Sequence, residues 1–151
     1  MEPGAEIELQ DSDGFTALMR AAQQGHERVV ELLLQHGAEI NKQNSDDRTE
    51  LIFAATNGNE QVVDLLLQRG AEIKLQSSEG YTALMYAAID GHERVVELLL
   101  QHGAEINLQS FSGGFTALML AAGQGHERVV ELLLQHGAEL NLQTSDGDTA
   151  L

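Results

Sequence analysis

The chain has no cysteine, no tryptophan, a single proline, and only eight Lys and Arg side chains among 151 residues. Without cysteine there is no disulfide framework, no thiolate nucleophile and no thiolate metal site. That fits a reducing compartment, cytoplasmic or nuclear, and fits an engineered chain equally. The scarcity of bases is set against 24 Asp and Glu, for a formal net charge of −16. This balance argues against nucleic acid as a partner, because phosphate neutralisation needs clustered Lys and Arg. An anionic membrane surface is disfavoured for the same reason, while a basic partner is steered in, weakly at physiological salt. The opening MEPGAEIELQ has neither a basic start nor an apolar run and does not read as a signal peptide. No stretch reaches the roughly 18–20 apolar residues of a membrane-spanning helix, so the expectation is a water-soluble chain.

What the chain does have is repetition. GHERVVELLLQHGAE occupies residues 25–39 and recurs unchanged at 91–105 and 125–139, with a looser copy, GNEQVVDLLLQRGAE, at 58–72. Gly37, Gly70 and Gly103 stand 33 residues apart, and Gly137 follows 34 later. A fixed period of this length means one supersecondary unit stacked along the chain, with a core spread through the stack. The units run 11–43, 44–76, 77–109 and 110–143 as a single domain over 1–151. Residues 1–3 read as a start or scar, 4–10 match a unit's tail, and 144–151 open a fifth unit. That arrangement suits either engineering or a fragment cut from a longer array.

Within the first unit, Asp13-Gly14 is a tight-turn signal. Thr16 is placed to cap a short helix over 17–24, which Gly25 ends. Glu27 opens a second helix at the positive end of its dipole, His36 lies at the negative end, and Gly37 suits the position beyond. Glu27, Arg28, Glu31 and Gln35 form one polar stripe, leaving Val29, Val30, Leu32, Leu33 and Leu34 a face too wide for a single neighbour. Such a helix must touch both its partner helix and the next unit.

Turn, short helix, short helix, at this period, resembles the ankyrin repeat, and the resemblance covers essentially the whole chain. The family's T-P-L-H-x-A signature reads here Thr16-Ala17-Leu18-Met19-Arg20-Ala21. Its G-H-x-x-V-V-x-L-L-L core reads Gly25-His26 through Leu34, and its G-A-D-V-N hairpin start reads Gly37-Ala38-Glu39-Ile40-Asn41. The resemblance implies an all-α repeat solenoid of helix-turn-helix units joined by β-turn or hairpin loops. It also implies partner binding on a concave face made by turn tips and first helices. One departure is systematic: Ala and Met replace the signature's Pro and His in three units, with Glu50 and Ile52 in the second. Losing that His removes the family's usual hydrogen bonds between repeats; Met19, Met85 and Met119 are expected to fill its space. A further implication is hydroxylation of hairpin asparagines preceded by Leu at eight residues and an acid at two. Asn41, Asn107 and Asn141 fit, and the second unit has Lys74 instead.

The units differ from one another in two places, the turn tips and one face of the first helix. That face holds Arg20, then Phe53, then Tyr86, Ile89 and Asp90, then Leu120. All six aromatics, Phe15, Phe53, Tyr81, Tyr86, Phe111 and Phe115, lie on these variable positions. Aromatic and Arg anchors dominate interface energetics, so they and Arg48 are the partner-binding residues to test first. Phe53 and Tyr86 are expected to stand exposed; for Phe15, Tyr81 and Phe115 stacking on adjacent turns is an equal alternative. The second unit is the outlier, with Asp47 for Gly at its turn, Arg48 for the aromatic and Asn59 for His. It is expected to have the weakest turn and a distinct contact through Arg48 and Phe53. The fourth unit carries an extra tip residue in Ser112-Gly113-Gly114, expected to loosen its turn.

Catalysis and metal binding find no support. His26, His36, His92, His102, His126 and His136 recur in identical places. A metal needs nitrogens converging at about 2.0–2.1 Å, whereas successive helices lie about 8–10 Å apart. There is no G-x-S-x-G, H-E-x-x-H or G-x-x-x-x-G-K motif, no cofactor is implied, and the carboxylates line a solvated stripe. The reading is a non-enzymatic module binding another protein or peptide. Its rival is a structural or engineered spacer with no natural ligand. Neither end carries a polar capping helix, so Val29, Leu32, Val129 and Leu132 are expected to meet water in part, with fraying or end-to-end self-association as the consequence.

Overall fold

In the computed structural model, residues 6–151 are described, and the first five, the whole of the expected start at 1–3 and the beginning of the repeat tail, lie outside them. Eight helices follow among the described residues: α1 (Ala17–Gln24), α2 (Glu27–Gln35), α3 (Glu50–Thr56), α4 (Glu60–Gln68), α5 (Ala83–Ile89), α6 (Glu93–Gln101), α7 (Ala117–Gln124) and α8 (Glu127–Gln135). None is long and apolar enough to cross a membrane. They pack as four pairs, first helices touching first helices and second touching second. The result is a two-row helical stack.

Local chemistry sets each boundary. The Oγ1 of Thr16, Thr49, Thr82 and Thr116 accepts the amide of the third helical residue at 3.2–3.3 Å. Each such cap contributes about 1 kcal/mol. Glycine in the left-handed conformation closes the first helices, and in the first three units the space around it is taken by the following unit. A Cβ on Gly58 would stand 2.6 Å from His92 Nδ1, and one on Gly91 equally close to His126 Nδ1.

Those histidines are where the units hold each other. His92 Nε2 lies 2.9 Å from the carbonyl oxygen of Thr56, and His126 Nε2 lies 2.8 Å from that of Ile89. In the second unit Asn59 does the equivalent work, its Nδ2 donating to Ala22 O at 3.0 Å and Gln23 O at 3.2 Å. So the hydrogen bonding lost with the signature histidine has a counterpart at the start of the second helix. Met19, Met85 and Met119 are buried as packing residues.

The wide apolar face of the second helix is divided between two neighbours, and the ends reveal the division. Val29 is 45 % and Leu32 39 % exposed at one end of the stack, as expected. Val129 and Leu132 are buried, against expectation. Their side of α8 faces back onto the third pair; at that end Leu134 and Leu140 are exposed instead.

The second pair holds an anomaly. Glu50 takes the place that Ala83 and Ala117 fill in later pairs, and it is 1 % exposed with no hydrogen-bond partner for either carboxylate oxygen. Burial, reinforced by the charge of Glu8, pushes its carboxyl up to about 7; Lys42 and the nearby amides of Glu50 and Asn41 pull only partly the other way. Glu8 itself pairs with Lys42 at 3.3 Å and accepts the amide of Glu39 at 2.7 Å.

Candidate functional site

The turn tips form a hydrogen-bonded row. Ser45 N donates to Asp13 O at 3.1 Å, Ser78 N to Asp46 O at 2.9 Å, Phe111 N to Glu79 O at 3.0 Å, and Ser145 N to Gly113 O at 2.9 Å. Each tip is thereby fixed to the one before it, and each is followed by a first helix that packs on the first helix of the next unit.

Two aromatic clusters sit where tips meet first helices. At the first junction the rings of Phe15 and Phe53 are 4.8 Å apart and tilted by 32°. Arg20 lies with its guanidinium carbon 3.7 Å over Phe15 and pairs with Asp11 at 2.7 Å. Hydrogen bonds from Arg20, then from the amide of Phe15, hold the Asp11 carboxyl below its ordinary value. At the second junction Tyr81 meets Tyr86 edge-on at 5.4 Å, and Arg48 covers Tyr86 at 4.9 Å. Tyr86 donates its hydroxyl to Ser77 Oγ at 3.1 Å. Burial, then the charge of Glu79, raises the Tyr81 phenol above its usual value.

The expectation that Phe53 and Tyr86 are exposed is therefore overturned. Phe53 is 3 % and Tyr86 8 % exposed, the first covered by Phe15 and the second by Tyr81 and Arg48. Phe15, Tyr81 and Phe115 are half-buried. The distinct contact of the second unit is internal to the stack: Arg48 reaches Tyr86 of the following unit, and Phe53 reaches Phe15 of the preceding one. Asp47 adopts φ 58°, the left-handed geometry that the glycines occupy elsewhere.

Toward the other end, Phe111 is 71 % exposed, Asp90 is exposed, and Ile89 and Leu120 are half-buried; Arg20, at the first junction, is exposed. The longer fourth tip is not loose: Ser110 N donates to Phe115 O at 2.9 Å, Phe115 N to Ser110 Oγ at 2.9 Å, and Gln109 Nε2 to Gly114 O at 2.9 Å. Among the hairpin asparagines, Asn41 and Asn107 use their Oδ1 atoms to accept the amides of Glu72 and Glu139, while Asn141 is exposed. Among the described residues, no group of three or more His, Asp or Glu side chains is placed to hold a metal ion.

Sequence reasoning named Glu50 as a departure from the repeat but not as a buried carboxyl. Its only signal was a carboxylate where the other three units have Ala.

A family model described as ankyrin repeats in three copies matches residues 1–77 and 51–144. No curated protein matches the chain.

Proposed function

This chain belongs to the ankyrin repeat family, and on that premise we propose that it is a non-catalytic module gripping a protein or peptide across its turn tips and first helices. Ankyrin repeats are in general protein–protein interaction modules and typically perform no chemistry of their own. Phe111 carries the reading for this chain. It is a large ring, 71 % exposed, on a tip that hydrogen bonds tie to the tips on either side. A pre-ordered aromatic loses little freedom when it enters a partner's pocket, which is why such residues anchor interfaces. Ile89, Asp90, Leu120 and Phe115 flank it as contact residues, and Tyr81, Arg20, Phe15 and Arg48 extend the surface. Phe53 and Tyr86 act from within, fixing the rings and cations beside them.

The rival spacer reading draws on α2, α6 and α8, whose sequences are identical. Affinity purification with the wild type and with a Phe111→Ala/Leu120→Ala double variant separates the two. A protein retained by the wild type and lost by the variant supports the module. A protein retained by both puts the contact elsewhere, and failure to retain any partner favours the spacer.

A further inference from the structure

The first unit shows what a cation does on this surface. Arg20 lies over Phe15, its guanidinium carbon 3.7 Å from the ring centroid, while its terminal nitrogen holds Asp11 at 2.7 Å. Arg48 covers Tyr86 in the same way at 4.9 Å. Aromatic faces carry negative potential, and a guanidinium is the side chain best suited to lie on one. Half of the face is thus supplied with cations by the chain itself.

The other half is not. Phe115 repeats the place of Phe15, but Leu120 stands where Arg20 does and Ser110 where Asp11 does. Phe111 adds a second ring to the same turn, 71 % exposed. Residues 110–125 and 144–151, which make the last tips and the last first helix, contain no Lys or Arg, whereas the third unit has Arg48 over its Tyr86 and beside its Glu79. The last tips do contain Asp146 and Asp148, on the tip whose Ser145 N donates to Gly113 O. The nearest arginines in sequence, Arg94 and Arg128, lie on second helices and pair there with Glu97 and Glu131 at 3.2 Å. An aromatic tip bonded to an acidic one, with no cation of its own, has the charge complement of a basic group.

Building on the binding reading above, we infer that this end of the face takes an arginine or lysine side chain of the partner, laid against Phe111 and beside the tip that carries Asp146 and Asp148. The partner segment is basic where it crosses the fourth unit. The net charge of −16 steers such a segment in and repels an acidic or phosphorylated one.

Selection from a random linear peptide library on the full chain tests this. Enriched sequences should be rich in Arg and Lys. Their binding should weaken about tenfold on Phe111→Ala, and should fall further as salt is raised. Phe111 is exposed, so unchanged thermal melting of the variant checks that the fold is intact. Replacing the peptide's key Arg by citrulline, which keeps the shape and removes the charge, should cost about as much as Phe111→Ala. Enrichment of acidic or uncharged sequences that still depend on Phe111 overturns this inference and leaves the binding reading standing. Basic sequences that ignore Phe111→Ala but are lost on Glu97→Gln/Glu131→Gln overturn both. So does the failure of any sequence to enrich.

Discussion

Phe15 and Phe53 stack at 4.8 Å across the junction of the first two units, so a turn of one unit is joined to a helix of the next by aromatic contact. Phe53 is 3 % exposed there. Phe53→Ala should therefore destabilise the chain by about 3–5 kcal/mol, the usual cost of emptying a buried aromatic site. Phe111→Ala, on an exposed ring, should stay within about 0.5 kcal/mol. Urea denaturation of both variants gives the comparison; equal costs would contradict the assignment of one ring to the interior and the other to the surface.

Glu50 gives the stack a pH dependence of defined sign. Its folded-state value is raised from 4.5 to about 7, so the folded state holds the proton more tightly than the unfolded chain does. The destabilising contribution is absent below about pH 4.5, grows as the pH rises to about 7, and is complete above it. Glu50→Gln keeps the shape and removes the ionisation. The variant's advantage over wild type should increase from pH 4.5 to 8 by roughly 3 kcal/mol. Chemical denaturation across that range reads it directly, and a constant difference between the two proteins would refute the burial of an ionisable group here.

Gly91 and Gly103 have similar left-handed backbones, φ 71° and 86°, yet differ in what surrounds them. A Cβ at Gly91 would meet the ring of His126 at 2.6 Å, while one at Gly103 finds nothing within 4 Å. Both Ala variants should lose about 1 kcal/mol to backbone strain. Only Gly91→Ala should lose more, as His126 is displaced from the Ile89 carbonyl. Thermal melts of the two variants should differ clearly, and identical melts would mean that the histidine seam contributes nothing.

Val29 and Val129 sit in helices of identical sequence but opposite surroundings, 45 % against 0 % exposed. Val129→Ala should cost about 2 kcal/mol and Val29→Ala little. A single equilibrium-denaturation series on both decides it. Matching losses would show Val29 to be covered in solution, as end-to-end association would do.

Most of the architecture was legible because its punctuation is local. Thr16 with its copies, and the glycine after each first helix, act within a few residues, so sequence alone places those boundaries. The site was legible as a row of positions but not as inside or outside. Phe53 and Tyr86 vary between units because the tip residues they touch vary too, Phe15 in one case and Tyr81 with Arg48 in the other. Variation in a stack marks seams as well as surfaces. Val129 and Val29 make the same point from the other side, since no local pattern distinguishes two identical helices. Glu50 was hidden because groups that act on its carboxyl, Glu8, Asn41 and Lys42, lie outside its own unit.

The row of tip hydrogen bonds has a consequence for how such a chain acquires new targets. In all four rungs the donor follows its acceptor by 32 residues, although the fourth tip is one residue longer than the others. The extra residue is absorbed before the acceptor Gly113, where Phe111 and Ser112 share Glu79 O, so everything downstream keeps step. A tip can therefore be lengthened and rewritten while its neighbours stay in place. Recognition can be grafted one loop at a time onto a frame that does not have to be redesigned to receive it.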